Sequence, residues 1–549
     1  MSWESAVREW DVHGAPPKEL KYGTAGFRME AVLMDAAMVR CGMLAALRSA
    51  DRGALTGLMI TASHNAEPDN GAKIADDHGG MLTRTWEGYA EALINSPNTA
   101  AVLACIQGLV TKEGITVQPG AAGPCVVVGC DTRPSSAGLH ARACAGVTAM
   151  GGTVVDLGEV TTPQLHFAVR YANEHGVRDA VQLREAYYQE ICSGYVALKA
   201  TASSTTDGGA MTMDSIIIDC ANGVGSIAAK LLPAVIVGGV ELSTVLSTTL
   251  RNEAYTGPVN DECGAELVQK ERRPCKGVSA EEDLGKLICS YDGDADRIVF
   301  HQFVGEDWLL FDGDKIAILI GKLLQQELEA AALTEKEVSF GVVQTAYANG
   351  ASTQCLRSMN APVAMAKTGV KYLHHVAEQY DVGLYFEANG HGTVLFSSTF
   401  MALVKAGAKE VWEGDARKEL AYKRLEALTR AVNQATGDAI SDMLVVLACL
   451  DILKCDWAAL YTDLPSRQMK LPVADKSKIV CSEDETSVLE PKALQDELTT
   501  YMAAVDCGRC FVRPSGTEDI VRIYAEAATE DLARKLADDA AAITLKYCS

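Results

Sequence analysis

Three segments of the chain share one pattern: a β-branched run, then polar and Gly residues, then a stretch compatible with a helix. They are CVVVGCDTRPSSAG (125–138), SIIIDCANGVGSIAAK (215–230) and SFGVVQTAYANGAS (339–352). A strand that leads through a Gly-containing turn into a helix is typical of a parallel sheet. The pattern therefore predicts three α/β domains of similar build.

The remainder of the chain predicts a fourth, different domain. At 549 residues the chain is too long for one core. After about residue 435 the composition changes, and the stretch from Cys510 to Tyr547 predicts strand, turn, strand and helix. We therefore predict an α/β chain with its domains around a central cleft: α/β domains at 1–208, 209–300 and 301–435, and an α+β domain at 436–549.

Charge and cysteine content limit the partners and the compartment. The chain has 49 basic and 72 acidic residues, a net charge of −23, which argues against a nucleic acid or an anionic membrane as partner. No apolar stretch is long enough to span a bilayer. Seventeen cysteines without a visible secretory signal favour free thiols in a reducing compartment, so we expect a cytoplasmic protein.

The segment YDGDADRIVF (291–300) places three carboxylates at alternate positions, Asp292, Asp294 and Asp296. Such close carboxylates repel one another unless a hard cation lies among them, and oxygen ligands suit Mg²⁺. Arg297 stands where an EF-hand needs Gly, so that calcium motif is excluded. The segment predicts a magnesium site, with a solvated acidic turn as the alternative.

The segment VRPSGTEDIVR (512–522) has the groups that a phosphate site needs. Arg513 can make a forked contact with a phosphate, Ser515 and Thr517 supply hydroxyls, and Gly516 permits a cluster of backbone N–H donors. The segment alone fits a hairpin turn equally well.

In YFEANGHGTVLF (385–396), Glu387, Asn389 and His391 stand at alternate positions between apolar runs. In a strand they would share one face and could bind sugar hydroxyls. A polar hairpin is the alternative.

A dinucleotide site is the main alternative from another class of protein. Gly223-Val-Gly225-Ser-Ile-Ala228 follows a predicted strand and satisfies the weak pattern G-x-G-x-x-A, with Glu241 at a tolerable distance. Pro233 would end the following helix early, which argues against this interpretation.

Six motifs in order resemble the α-D-phosphohexomutase superfamily: YGTAGFR (22–28), TASHN with DNGAK (61–73), DGDADR (292–297), KTGVK (367–371), EANGHG (387–392) and RPSGTED (513–519). The residues Ala388 to His391, Ala295 and the segment GVVQTAYANG (341–350) resemble the branch that acts on N-acetylglucosamine phosphates. One departure is Ala66, where the family commonly has a proline after the Asn.

The resemblance implies a phosphomutase that interconverts N-acetylglucosamine 6-phosphate and 1-phosphate and supplies UDP-N-acetylglucosamine synthesis. It implies that Ser63 carries the phosphoryl group, that a sugar 1,6-bisphosphate is the intermediate and activator, and that a small sugar phosphate is the partner. We expect the enzyme to be a monomer. The implied metal ligands for Mg²⁺ are Ser63, Asp292, Asp294 and Asp296. Further implied catalytic residues are Lys73, Arg28, His64 and His391. The implied substrate-binding residues are Arg297, Lys367, Glu387, Asn389, Gly390, His391, Arg513, Ser515, Gly516 and Thr517.

Two alternatives keep the same fold. A sister enzyme would use glucose or mannose phosphate. A sugar-phosphate sensor would bind without turnover, but a binder needs neither the nucleophile Ser63 nor three metal-binding aspartates.

Overall fold

The structure is a computed structural model that describes residues 3–11, 14–23, 26–116, 123–202, 213–515 and 520–548. Helices and strands alternate along these residues and form several sheets, which confirms the predicted mixed α/β class. The chain divides into two compact units. Unit 1 comprises Met1–Leu310 and Glu426–Ile452, and unit 2 comprises Phe311–Leu425 and Leu453–Ser549.

The first part of unit 1 is a five-stranded sheet of order β1-β3-β2-β4-β5 with helices packed on it. Strands β2, β4 and β5 are parallel, and β1 and β3 run antiparallel to their neighbours. The elements are α1 (Trp3–Trp10), β1 (Phe27–Glu30), α2 (Asp35–Arg52), β2 (Thr56–Ile60), β3 (Asp69–Ala75), α3 (Arg84–Ile94), α4 (Thr99–Glu113), β4 (Cys125–Cys130), α5 (Ser136–Ala149), β5 (Thr153–Glu159), α6 (Thr162–His175) and α7 (Ala180–Thr201).

The second part contains another five-stranded sheet, of order β12-β11-β10-β6-β9. Helix α8 ends at Leu231, two residues before Pro233, as the sequence predicts. The elements are β6 (Ser215–Asp219), α8 (Gly225–Leu231), β7 (Ile236–Val237), β8 (Val240–Glu241), β9 (Ser247–Arg251), α9 (Ala265–Glu271), α10 (Ala280–Asp283), β10 (Leu287–Tyr291), β11 (Ile298–Val304) and β12 (Asp307–Phe311).

A four-stranded sheet of order β14-β13-β15-β16 follows in unit 2. Its long first helix begins after Asp312, whose side chain accepts a hydrogen bond from the backbone N–H of Asp314. The elements are α11 (Gly313–Ala330), β13 (Phe340–Thr345), α12 (Gly350–Ser358), β14 (Val363–Ala366), α13 (Val370–Ala377), β15 (Val382–Phe386), β16 (Gly392–Phe396), α14 (Ser398–Gly407) and the first part of α15 (Ala416–Ala431). The remainder of α15 and nearly all of α16 (Ala439–Leu453) belong to unit 1.

The C-terminal part of unit 2 has a three-stranded antiparallel sheet of order β17-β21-β20 covered by two helices. The two predicted strands and the predicted helix are present here as β20, β21 and α18, and residues 516–519, where a turn was predicted, lie outside the described residues. The elements are β17 (Ser466–Pro472), β18 (Val480–Cys481), β19 (Val488–Glu490), α17 (Lys492–Ala503), β20 (Arg509–Pro514), β21 (Ile520–Glu526) and α18 (Glu530–Cys548).

All three predicted strand-to-helix segments form: β4 leads into α5, β6 into α8 and β13 into α12. Among the described helices, none combines the length and the apolar character that crossing a membrane requires.

Candidate active site

Ser63 lies just beyond the carboxyl end of β2, buried and in an unusual backbone conformation. Its φ is 52°, in the left-handed region that side chains other than Gly rarely adopt. Its Oγ donates a hydrogen bond to Asp292 Oδ2 at 2.8 Å, and its exposure is 1%. Because left-handed backbone costs about 1 kcal/mol or more, neighbouring residues must hold this loop in place.

Arg133 is the residue that holds the loop. It is buried, and its Nε donates to Asp131 Oδ2 at 2.9 Å. Strands β2 and β4 are parallel neighbours, so their carboxyl ends place Arg133 beside Ser63. Sequence analysis did not assign Arg133 a role; the signal available was its place after a strand, in CVVVGCDTRPSSAG. Its Nη groups donate to the backbone oxygens of Ser63 (2.9 Å), Asn65 (2.8 Å), Ala66 (2.7 Å) and Asp69 (3.0 Å).

Asn260, in the segment between β9 and α9, supports the same loop. Its Nδ2 donates to the backbone oxygens of Ser63 at 2.9 Å and Asn65 at 3.0 Å. The loop of residues 292–296, here called the aspartate loop, also lies close to the serine loop. A Cβ at Gly293 would lie 2.7 Å from the backbone oxygen of Ser63. A glycine is therefore required between Asp292 and Asp294 for the aspartate loop to reach the serine loop.

The three aspartates form one buried cluster. Asp292, Asp294 and Asp296 each offer a carboxylate oxygen, and these oxygens all lie within 4.8 Å of one another. Burial, followed by the charges of Asp296 and Asp294, raises the pKa of Asp292 well above its ordinary value. Such a cluster is costly without a cation, which disfavours the alternative of a solvated acidic turn.

The aspartate cluster fits a hard divalent cation. Asp294 Oδ2 accepts hydrogen bonds from Lys73 Nζ at 2.9 Å and from Thr162 Oγ1 at 2.5 Å. Asp294 Oδ1 is buried and has no hydrogen-bond partner among the described residues. A buried carboxylate oxygen left over in this way, beside two more carboxylates, is the donor set that Mg²⁺ prefers.

Lys73 lies on β3 and reaches the same cluster. Its Nζ donates to Asp296 Oδ2 at 2.6 Å as well as to Asp294. Burial acts to lower the pKa of Lys73, but the two carboxylates outweigh burial and raise the pKa above its ordinary value. The structure therefore holds Lys73 as a cation against the aspartates.

His64 and two arginines lie around Ser63. His64 Nδ1 is 3.5 Å from Ser63 Oγ, and its Nε2 is 3.5 Å from Arg28 Nη1. Burial, and then the charges of Arg297 and Arg28, lower the pKa of His64 well below its ordinary value. Because its pKa is lowered in this way, the imidazole of His64 is neutral near pH 7. The second arginine, Arg297, donates from Nη1 to Glu266 Oε2 at 3.1 Å.

In unit 2, Glu387, Asn389 and His391 lie in the turn between β15 and β16, so they do not share a strand face. Asn389 Oδ1 accepts from the backbone N–H of His391 at 3.0 Å, and Gly390 has a φ of 83°. These turn features break the two-residue period, so the backbone here is a hairpin and not a continuous strand, and sugar binding by these side chains stays a prediction. Glu387 Oε1 accepts from the backbone N–H of Gly369 at 3.1 Å, beside Lys367.

Arg513 lies near the end of β20, and two hydrogen-bond acceptors surround its guanidinium. Its Nε donates to Tyr347 Oη at 3.2 Å, and its Nη1 is 3.4 Å from Glu485 Oε1. Glu485 Oε2 also accepts from the backbone N–H of Thr368 at 3.1 Å, which links Arg513 to the KTGVK loop. Ser515 follows Arg513 and is buried, whereas the predicted residues Gly516 and Thr517 lie outside the described residues.

Each unit thus gathers its own set of the predicted residues. Sequence analysis missed several residues that position these sets. Unit 1 holds Ser63, His64, Lys73, Arg28, Asp292, Asp294, Asp296 and Arg297; unit 2 holds Lys367, Glu387, Asn389, Gly390, His391, Arg513 and Ser515. The missed residues are Arg133, Thr162, Asn260, Glu266, Tyr347 and Glu485.

The glycines of the dinucleotide-like pattern have a different role in the structure. A Cβ at Gly223 would lie 2.3 Å from the backbone oxygen of Gly293, and one at Gly225 would lie 2.9 Å from the Tyr291 ring. Both glycines therefore permit close packing of β6 and α8 against the aspartate loop. A nucleotide pyrophosphate would have to displace that loop.

Comparison with protein families gives matches along most of the chain. The family "Phosphoglucomutase/phosphomannomutase, alpha/beta/alpha domain I" matches residues 23–101 and 86–183. The family of the corresponding C-terminal domain matches residues 469–543. "Phosphoacetylglucosamine mutase AMG1", domain II, matches 180–299, and its domain III matches 312–456.

Individual proteins match over nearly their whole length. Phosphoacetylglucosamine mutase of Homo sapiens is 42% identical over 541 residues, 97% of this chain and 96% of the relative. The crystal structure of Aspergillus fumigatus N-acetylphosphoglucosamine mutase with GlcNAc-6P and magnesium superimposes with a TM-score of 0.88 at 35% identity, covering 100% of both chains. A serine-to-alanine variant of that enzyme with glucose 1,6-bisphosphate gives a TM-score of 0.85 at 35% identity and covers 100% of this chain and 99% of that one.

The fold, the serine loop and the aspartate cluster together define an α-D-phosphohexomutase, an isomerase that moves a phosphoryl group on a sugar. Within that superfamily, the families matched by residues 180–299 and 312–456 and the individual relatives carry one more specific name. The chain belongs to the phosphoacetylglucosamine mutase family. The predicted branch of the superfamily is thereby confirmed, and the four predicted domain boundaries and the individual residue roles remain predictions.

Proposed function

We propose that the enzyme interconverts N-acetylglucosamine 6-phosphate and N-acetylglucosamine 1-phosphate and thereby supplies UDP-N-acetylglucosamine synthesis. The main observation in support is the hydrogen bond from Ser63 Oγ to Asp292, which places a hydroxyl nucleophile against a buried cluster of three carboxylates. The ligands of the Aspergillus fumigatus structures, GlcNAc-6P with magnesium and glucose 1,6-bisphosphate, support this substrate class.

In the proposed reaction, phosphorylated Ser63 gives its phosphoryl group to the free hydroxyl of the sugar phosphate. The bond between Ser63 Oγ and phosphorus breaks and a bond between the sugar oxygen and phosphorus forms. The sugar hydroxyl loses its proton and Ser63 Oγ gains one, so the serine hydroxyl is restored. The resulting 1,6-bisphosphate returns its other phosphoryl group to Ser63 Oγ after reorientation. The enzyme ends phosphorylated as it began, so a trace of bisphosphate suffices as activator.

Asp292, Asp294, Asp296 and an oxygen of phosphorylated Ser63 would hold Mg²⁺. When bound, the ion would neutralise the charge of the phosphoryl group during transfer.

Charged and neutral groups around Ser63 would share the remaining tasks. Arg28 and Arg297 would add positive charge around the phosphoryl group, and Lys73 would hold Asp294 and Asp296 in place. We propose His64 for proton exchange with the Ser63 hydroxyl, because it is neutral and its Nδ1 lies 3.5 Å away. Lys73, Arg28 and His391 remain candidates for proton transfer at the sugar hydroxyl, with Lys73 limited to donating a proton because the two carboxylates hold it as a cation.

The residues of unit 2 would bind the substrate. Arg513, Ser515, Gly516 and Thr517 would grip the phosphate that is not transferred. The sugar hydroxyls would be bound by the KTGVK loop and by the hairpin between β15 and β16, through Lys367, Glu387, Asn389, Gly390 and His391.

The direct test is turnover of N-acetylglucosamine 6-phosphate with Mg²⁺ and a trace of glucose 1,6-bisphosphate, run in parallel with glucose 6-phosphate and mannose 6-phosphate. We expect the acetylated sugar to give the highest kcat/KM. Faster turnover of glucose 6-phosphate would support the sister enzyme instead. Calorimetric binding of the acetylated sugar phosphate without turnover of any sugar would support a sensor.

Replacing Arg513 with alanine should mainly raise KM, because the proposed contact is with the non-reacting phosphate. Loss of a charge-assisted contact predicts a rise of about 10-fold or more with a smaller change in kcat. Steady-state kinetics with N-acetylglucosamine 6-phosphate measure both parameters. Arg467→Ala, an exposed arginine in β17 of the same unit, is the matched control. An unchanged KM in Arg513→Ala would exclude this arginine from phosphate binding.

A further inference from the structure

Tyr347 lies in the loop after β13, in the segment GVVQTAYANG that the reaction proposed above leaves without a role. Its ring meets Phe511 edge to face, with centroids 4.9 Å apart, and meets Tyr524 in the same way at 5.9 Å. Phe511 and Tyr524 belong to β20 and β21, the strands that flank the phosphate loop. The ring therefore packs against the strand that carries Arg513.

The loop on either side of Tyr347 is held independently of its hydroxyl. Arg509 donates from Nη1 to the backbone oxygen of Ala346 at 2.8 Å and from Nη2 to that of Ala348 at 2.6 Å. Arg509 is itself paired with Glu526 at 2.7 Å. Removal of the Tyr347 hydroxyl should therefore leave the backbone and the ring in place.

The hydroxyl of Tyr347 contacts Arg513 directly. Tyr347 Oη accepts from Arg513 Nε at 3.2 Å, and the guanidinium carbon lies 5.4 Å from the centre of the Tyr347 ring. Glu485 Oε1 lies 3.4 Å from Nη1 of the same guanidinium. Because a guanidinium is a rigid plane, contacts at Nε and Nη1 together set the direction in which its other donors point.

We propose that Tyr347 is a positioning residue that orients Arg513 for the non-transferred phosphate; this inference rests on the function proposed above. Tyr347 follows β13, which pairs in parallel with β15, the strand that leads into the hairpin of Glu387 and Asn389. One residue thus connects the sheet of the sugar hairpin to the phosphate-binding arginine. Tyr347 would keep the grip on the phosphate in register with the grip on the sugar.

The test is a double-mutant cycle with Tyr347→Phe and Arg513→Ala on the full chain, with calorimetric Kd for N-acetylglucosamine 6-phosphate and kinetic KM and kcat as readouts. We expect Tyr347→Phe to weaken binding and raise KM about 10-fold, with kcat changed less than about 2-fold. In the Arg513→Ala background, adding Tyr347→Phe should change Kd by less than about 2-fold, since the contact is already lost.

The other outcomes bear separately on the role of Tyr347, on phosphate binding by Arg513 and on the proposed function. Tyr501→Phe, an exposed tyrosine of α17 in the same unit, is the control and should keep the native Kd. If Tyr347→Phe weakens binding equally in both backgrounds, or lowers Tm by several degrees, its role is structural and the inference is wrong. If Arg513→Ala weakens binding and Tyr347→Phe does not, the inference alone fails. An unchanged Kd in Arg513→Ala would show that Arg513 does not bind the phosphate, and the inference would then be wrong as well. If the native enzyme binds the sugar phosphate but does not turn it over, only the proposed function is contradicted.

Discussion

Ser63→Ala should lower kcat on the order of 10³-fold or more, because the variant has no hydroxyl to carry the phosphoryl group. The hydroxyl is also a hydrogen-bond donor to Asp292, but that single bond contributes only about 1 kcal/mol to stability. The loss should therefore appear in turnover and not in folding. Steady-state kinetics with N-acetylglucosamine 6-phosphate, together with Tm, measure both quantities.

Ser49→Ala is a suitable control, since Ser49 is also a buried serine of unit 1 and its hydroxyl donates to the backbone oxygen of Ala54. Intact-mass analysis after incubation with bisphosphate should show one added phosphoryl group in the native enzyme and in Ser49→Ala. Near-native turnover by Ser63→Ala, or the same mass increase in it, would assign the phosphoryl carrier to another residue.

Removal of divalent metal should abolish turnover, and Mg²⁺ should restore it. The three carboxylates of Asp292, Asp294 and Asp296 are buried together, with the side chains of Lys73 and Arg297 as neighbouring cations. A phosphoryl group beside them would be repelled without a further cation. We expect chelated enzyme to lose at least 10³-fold in kcat, on the scale of losing the nucleophile, and bound Mg²⁺ to raise Tm.

Asp292→Asn distinguishes a specific site from a general salt effect. The kcat of the variant should be at least 10²-fold lower than that of the native enzyme. Addition of Mg²⁺ should no longer raise the Tm of the variant. The metal-free variant should be no less stable than the native enzyme at pH 7, because the raised pKa of Asp292 shows that its charge is unfavourable there. Asp261→Asn, an exposed acid of the same unit, should retain both responses. A native Tm response to Mg²⁺ in Asp292→Asn would place the ion elsewhere.

The direction of the pKa shift also predicts a pH dependence of metal-free stability. Burial and two like charges raise the folded-state pKa of Asp292 above its unfolded value. The stability from its protonated form is fully present below the unfolded pKa and is lost as pH rises through the folded pKa. In metal-free enzyme, acidification toward the unfolded pKa should therefore lessen the Tm difference between native and Asp292→Asn.

The order of the site motifs along the chain indicates the superfamily from sequence alone. Each motif can be read in this way because its chemical groups lie close together in sequence. Asp292, Asp294 and Asp296 are separated by single small residues, so covalent spacing limits how far apart their carboxylates can lie. Arg513 and Ser515 are likewise separated by one residue, Pro514. Local sequence therefore predicts each loop and its chemistry, as it predicts the three strand-to-helix segments.

The residues that hold those loops could not be found in this way. Arg133 supports Ser63 from 70 positions away, and Asn260 does so from 197 positions away. Such pairs depend on which strands are neighbours, here β2 beside β4, and sheet order is a property of the whole domain. The period-two pattern of Glu387, Asn389 and His391 was also ambiguous, and only the left-handed Gly390 and the turn hydrogen bonds decide for the hairpin.

Sequence by itself thus determined the kind of chemistry: a serine, three acids and an arginine loop, each in a short segment at the end of a strand. Tertiary structure decided how these groups are oriented, which charges lie together and which atoms lack a hydrogen-bond partner. The reason is that covalent spacing limits the distance between near neighbours, whereas the direction of a buried side chain is set by contacts with residues that only folding brings close.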